Sequence, residues 1–144
     1  MATIRPITAA DTAAMVAVVS RMVAGTKFAA PTDDKVLRMI QRPNGFATCA
    51  VVDGQIVGFM AGYVGETFLN HEVNAYEQGL YVMPEHRGST IAVRLVREFE
   101  AWARARGAKN IWLGQSVGQD QMQTLHFFER LGYACQGFIT CKTL

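Results

Sequence analysis

The chain has 144 residues, half of them hydrophobic and 18% charged, with a formal net charge of +2. That length suits one domain that buries its own core, and the composition excludes a disordered, collagen-like or low-complexity chain. The small net charge gives no electrostatic footprint for nucleic acid, no apolar run approaches the ~20 residues of a membrane span, and the start Met1-Ala2-Thr3-Ile4-Arg5-Pro6 lacks the basic end and apolar run of a secretory signal.

No repeat, charge block or linker interrupts the chain, so residues 1–144 read as a single domain. Thr3 to Ile7 predicts a short strand. Thr8 offers a helix cap with Asp11 in the capping-box position, and Met15, Val18, Val19, Met22 and Val23 follow at helical spacing up to Gly25. Asp33 or Asp34 opens a second helix carrying Val36, Leu37 and Ile40. Phe46 to Val52 predicts a strand that enters the hairpin dipeptide Asp53-Gly54. Gln55 to Phe68 returns, with Gly58, Gly62 and Gly65 as bulge candidates. A polar loop at Asn70 to Asn74 precedes a strand from Ala75 to Met83.

The turn Pro84-Glu85-His86-Arg87-Gly88-Ser89 then feeds a helix. Its apolar face is Ala92, Leu95, Val96, Phe99, Trp102 and Ala103, its polar face carries Arg94, Arg97, Glu98 and Arg104, and Gly107 ends it. Lys109 to Gly114 predicts a fifth long strand, and a last helix runs from about Asp120 to Leu131, stopped by Gly132. Tyr133 to Leu144 is expected to close the sheet as a bent strand or a hairpin around Gly137. The order β-α-α-β-β-β-α-β-α-β, with its long central meander, predicts an α/β (α+β) fold with a mixed sheet and helices on both faces.

Cys49, Cys135 and Cys141 show no metal-like spacing, and no metal site is expected. Without a secretory signal the expected location is the cytoplasm, where all three are free thiols, each read as a small apolar core residue.

The segment that carries chemistry is Leu80-Tyr81-Val82-Met83-Pro84-Glu85-His86-Arg87-Gly88-Ser89-Thr90-Ile91-Ala92. A strand enters a short loop, and the loop enters a helix. A helix start leaves backbone N–H groups unpaired and carries the positive end of the dipole, so it receives phosphate readily. Gly88 lets the backbone approach a ligand, Ser89 and Thr90 add hydroxyls, and Arg87 adds charge. The plainer alternative is that Ser89 only caps a surface helix. A nucleotide P-loop would need Gly at Met83 and Lys at Ser89, and no Gly-x-Gly-x-x-Gly occurs.

This segment resembles the acetyl-CoA loop of the GNAT N-acetyltransferase superfamily, Arg/Gln-x-x-Gly-x-Gly/Ala, with Arg87 and Ala92 at its first and last positions. Phe127-Phe128-Glu129-Arg130-Leu131-Gly132-Tyr133 is similar to the family's closing Phe-Tyr-Glu-Lys-Leu-Gly-Phe. The resemblance implies acetyl-CoA as cosubstrate, with its pyrophosphate on the amides of Arg87 to Ala92. It also implies that the pantetheine lies like an added strand beside Leu80, Tyr81 and Val82, where the fourth and fifth strands splay. Gln121 stands where many relatives carry a cofactor-contacting Asn. Two positions depart from the family pattern. Thr90 replaces a Gly, and Phe128 replaces the Tyr that serves as general acid.

From Pro43 to His86 there is no Lys or Arg, while the stretch holds Asp53, Glu66, Glu72, Glu77 and Glu85; Arg87 to Lys109 holds six basic residues. A basic loop suits a phosphate-rich donor and an acidic region suits a cationic amine, although Arg94, Arg97 and Arg104 read as a solvated helix face. Glu77, inside an otherwise apolar strand, is the candidate base, its alternative being an edge-exposed surface carboxylate. Glu72 and His71 are weaker candidates, and His126 reads as a helix-surface residue. Tyr133 and Tyr76 could donate a proton, against buried packing as their plainer role. Phe28, Phe68 and Phe138 beside acids suit an amine with some apolar body, whether a small molecule or a peptide.

The expected function is therefore transfer of an acetyl group from acetyl-CoA to a primary amine by direct attack in a ternary complex. The alternative, kept open by Phe128, is a catalytically weak acyl-CoA-binding or protein-interaction module on the same fold. No nucleic-acid or membrane partner is expected, and a homodimer is compatible with either reading.

Overall fold

The computed structural model describes residues 1–115 and 119–144. Its strands are β1 (Thr3–Pro6), β2 (Gly45–Val52), β3 (Gln55–Glu66), β4 (Val73–Val82) and β5 (Asn110–Trp112). Its helices are α1 (Thr12–Val23), α2 (Asp33–Ile40), α3 (Ile91–Ala105) and α4 (Gln121–Arg130). The strands form one sheet in the order β1-β2-β3-β4-β5. The first four pair antiparallel and β5 joins β4 in parallel, giving the expected mixed sheet.

Apolar side chains alternate across this sheet and build a core on each face. On one face Phe46, Ala50, Val57, Met60, Ala75 and Val82 meet Ile91, Leu95, Val96, Phe99 and Ala103 of α3. On the other, Cys49, Ile56, Phe59 and Ala61 meet Met15 and Val18 of α1 and Val36 of α2. Phe99 has no exposed surface, and its ring lies 5.2 Å from Phe46 and 5.7 Å from Trp102. Burying a side chain of this size removes enough apolar surface from water to contribute about 3 kcal/mol.

The chain start is fixed by the predicted capping motif. The Thr8 N–H donates to the Asp11 carboxylate at 2.8 Å, and Arg5 on β1 donates to both oxygens of that carboxylate at 2.8 and 2.9 Å. One 3-10 turn, Ala9–Asp11, therefore precedes α1.

Several boundaries differ from the sequence reading. β3 ends at Glu66 rather than Phe68, and β5 spans three residues rather than Lys109 to Gly114. The larger correction concerns the C-terminus, because residues 133–144 form neither strand nor hairpin. Alternation reports that a segment can serve as a strand, but pairing needs a neighbouring edge, and alternation does not specify one. Cys135 and Cys141 lie exposed on this segment, so only Cys49 is the core thiol that all three were expected to be.

Candidate active site

β4 and β5 share three register pairs, Asn74 with Asn110, Ala75 with Ile111 and Tyr76 with Trp112. Pairing stops there, while β4 continues to Val82. The cause is local. Ala61 of β3 faces Gly79 and Gly62 faces Glu77, so Gln78 is an extra residue on β4. Such a bulge bends the strand and reverses its side-chain parity beyond that point. Ala75 and Leu80, one odd and one even, accordingly pack on the same core. A Cβ on Gly62 would lie 2.5 Å from the Tyr76 carbonyl oxygen and 2.7 Å from the Phe99 ring, so the bulge sits where only glycine fits opposite. Past the bulge Leu80, Tyr81 and Val82 pair with Met60, Phe59 and Gly58 on one side and, among the described residues, with no strand on the other. That open side can accept an extended ligand by backbone pairing.

Glu77 stands at the point of separation. Its Oε1 accepts the Gly114 N–H at 3.4 Å, a bond that crosses from β4 to the residues after β5. Burial pushes its carboxyl up to about 7, with the Gly114 amide opposing that shift. Such a group exchanges protons near neutral pH, as a general base requires.

The loop after β4 is built around backbone donors. Gly88 adopts φ +79°, and a Cβ there would meet nothing within 4 Å. Ser89 Oγ donates to the His86 carbonyl at 2.8 Å and accepts the Ile91 N–H at 3.3 Å, one residue before the N-cap Thr90, so its hydroxyl fastens the loop to the start of α3. The backbone N–H groups of Gly88, Ser89, Thr90, Ala92 and Val93 donate to no group among the described residues. Together with the helix dipole they form an anion-receiving rim. Arg87 Nε donates to the Val82 carbonyl at 2.9 Å, and its guanidinium lies 5.5 Å from the Tyr81 ring centre, which ties the loop to the end of β4. Arg21 of α1 reaches the other side, donating to both oxygens of Glu85 at 2.7 and 3.0 Å and holding that carboxyl at about 2. Neither Arg21 nor the Gly114 amide was found in the sequence, because each acts through a contact distant along the chain.

Other candidates lie elsewhere. The Tyr133 hydroxyl is buried without a hydrogen-bond partner among the described residues. Burial and nearby Glu100 push it up to about 12, and it lies beside Arg97 and Arg104 of α3. Glu100 is nine residues into α3, about 13 Å along the axis from the helix start, so Tyr133 is not brought to the loop. Phe128 is buried with its ring 6.2 Å from that of Tyr133 and 5.8 Å from that of Phe127. Gln121 is exposed at the start of α4. Glu72 accepts from Asn110 Nδ2 at 3.1 Å and His71 pairs with exposed Glu66 at 3.0 Å, so both brace the loop before β4. Tyr76 stacks on Tyr63 with ring centres 5.3 Å apart.

A sheet that opens beyond a bulge, followed by an amide-rich loop and a helix, occurs here in a sequence matching the Acetyltransferase (GNAT) family over residues 18–133. The chain belongs to that family. Among curated relatives, an aminoglycoside N(6')-acetyltransferase type 1 from Acinetobacter genomosp. 13 is 37% identical over 59 residues, covering 38% of this chain and 40% of that protein. A streptothricin acetyltransferase from Streptomyces lavendulae is 33% identical over 85 residues, covering 59% of this chain and 42% of that protein. The matched stretches thus span about two fifths of the length of these relatives. The fold is shared with a ribosomal-protein-alanine N-acetyltransferase from Brucella melitensis biovar Abortus 2308, with a TM-score of 0.80 at 21% identity over 100% of this chain and 99% of that one. The printed names of these three proteins all describe acetyl transfer.

Proposed function

We propose that this chain is an acetyl-CoA-dependent N-acetyltransferase that acts on a primary amine in a ternary complex. The observation that carries the reading is Glu77 at the separation of β4 and β5, with its carboxyl raised to about 7. The amides of Gly88, Ser89, Thr90, Ala92 and Val93, without an acceptor among the described residues, fit a pyrophosphate, and the open side of Leu80 to Val82 fits an extended pantetheine arm. Acetyl-CoA supplies the activated acyl group, and the chain's own residues do the rest.

The loop and strand hold the donor so that its thioester lies near Glu77. An amide N–H of Leu80 or Tyr81 polarises the carbonyl. The amine nitrogen bonds to the carbonyl carbon, the carbon–sulfur bond breaks, and Glu77 takes the amine proton directly or through water. The CoA sulfur leaves as a thiolate, which a thiol with a pKa of about 8.5 tolerates near neutral pH. This accounts for turnover without an acid at Phe128, and water can protonate the thiolate afterwards. Most of the acceleration comes from holding the two reactants together.

Glu66, Glu72 and Glu77, on β3, β4 and the loop between them, favour a cationic acceptor. The names of the two curated relatives make an aminoglycoside or streptothricin amine the first acceptors to examine. An amine panel incubated with acetyl-CoA and read by free thiol release tests the reading. Thiol release that depends on both an amine and Glu77 supports it. CoA binding with no turnover of any amine in the panel would replace it with the acyl-CoA-binding module.

A further inference from the structure

Three aromatic side chains lie in one row across adjacent strands. Tyr63 of β3 faces Tyr76 of β4, and Tyr76 faces Trp112 of β5. Cross-strand partners share a face of the sheet, so the three project from one side. Their chain neighbours Val64, Ala75 and Ile111 pack on the α3 core, which places the row on the face that α1 and α2 cover elsewhere. None of the three rings belongs to either core, and Trp112 is 45% exposed. At one end the Arg42 guanidinium lies 3.8 Å from the Tyr63 ring centre, and the Tyr63 ring stacks on Tyr76 at 5.3 Å. Tyr76 and Trp112 make no ring contact with each other among the described residues. β2, β3, β4 and β5 carry no Lys or Arg. Glu77 follows Tyr76 in the chain and accepts the N–H of Gly114, two residues past Trp112.

We propose that Tyr76 and Trp112 form a cation platform beside Glu77, so that the acceptor is an amine carrying a second positive centre. This rests on the reading of Glu77 as the base that receives the reacting amine. A ring face attracts a cation through its quadrupole, most strongly for Trp. Arg42 on Tyr63 is the same contact made within the chain, one strand away. A neutral sugar or an aromatic ring would also stack on such faces. The carboxylate beside the row and the lack of basic residues in its strands favour positive charge. Neighbouring strands lie about 4.8 Å apart and consecutive Cα atoms about 3.8 Å, so the platform and Glu77 suit positive centres on the order of 5–10 Å apart. A monoamine meets Glu77 alone, whereas a diamine or polyamine meets both.

The first test needs no turnover. Hexamethonium, a bis-quaternary alkane that cannot be acetylated, is titrated into the full chain and followed by its own methyl NMR signals. Saturable binding is expected, with tert-butanol, a neutral group of similar shape, binding far more weakly. Trp112→Ala should weaken hexamethonium binding about 3- to 10-fold with the circular dichroism of the parent, and Trp112→Phe, which keeps a ring face, should weaken it less. No saturable binding, equal binding of tert-butanol, or an affinity unchanged by Trp112→Ala overturns the platform. Tighter binding of methyl glucoside than of hexamethonium also overturns it and makes the row a carbohydrate surface. The parent's preference for the cation decides the matter even if a variant fails to fold. With acetyl-CoA present, the terminal diamine of pentane should show a lower KM than pentylamine at similar kcat, and Trp112→Ala should remove that difference. Equal KM values in the parent overturn the substrate class. Thiol release from neither amine counts against the acetyltransferase reading, and hexamethonium binding then still decides the platform.

Discussion

Burial that lifts the Glu77 carboxyl from an ordinary 4.5 to about 7 has consequences for both rate and stability. An ionised Glu77 is needed to accept the amine proton, so kcat/KM of the parent should rise with pH through about 7. Glu77→Gln should lower kcat/KM by about 10²-fold or less, the low end for a general base. The deficit should narrow at high pH, where the amine deprotonates unaided, and steady-state rates across pH check this. The same shift acts on folding. Between 4.5 and about 7 the folded chain holds a proton that the unfolded chain has lost, so stability contributed at this site falls as pH rises through that window and is constant above it. Glu77→Gln should therefore be more stable than the parent by about 3 kcal/mol near pH 8, with no advantage near pH 4, as urea unfolding would show. A rate loss combined with a stability gain would separate a base from a residue that merely holds the strand.

At the scale of elements, the site depends on one bulge and one helix start. Gly62 permits the bulge, since any side chain there meets the Tyr76 carbonyl and the Phe99 ring. Gly62→Ala should cost about 1–3 kcal/mol in urea unfolding, the range for overpacking. It should also reduce kcat/KM by shifting β4, and an unchanged rate would show that the strand separation does not depend on this register. At the helix start, Ala92→Glu places bulk and negative charge beside the free amides of the loop, so it should abolish CoA binding measured by calorimetry in a folded protein. Thr90→Gly should bind at least as well as the parent if Thr90 is only a steric departure from the family pattern. Clearly weaker binding would make its hydroxyl a ligand contact.

Taken as a whole molecule, the proposed donor site joins both halves of the sheet's surroundings. Arg21 ties α1 on one face to the loop that starts α3 on the other, through Glu85. A ligand that spans that loop and β4 binds only the folded chain, so it must raise the unfolding temperature. Acetyl-CoA at about a hundred times its Kd should add about 2.7 kcal/mol, or on the order of 5–10 °C for a domain of this size. Differential scanning calorimetry measures the shift, and Ala92→Glu should show none.

The sequence by itself determined most elements and singled out the proposed donor loop, because these rest on local rules. Helical spacing placed α1 and α3, Asp53-Gly54 placed the β2–β3 turn, and Gly88 before a patterned helix marked the anion-receiving loop. Glu77 was legible as a carboxylate stranded among apolar neighbours, but its raised pKa needed the surroundings that only folding supplies. Tertiary structure decided the rest. The extra residue at Gln78 is set by contact with β3 and Phe99, distant along the chain, so period-two reading could not reveal the parity change. It decided that Tyr133 lies beside α3, and that the Ser89 hydroxyl is engaged by His86 and Ile91. It also left 134–144 unpaired, because a strand-forming pattern states what a segment can do and a free edge states where it can do it.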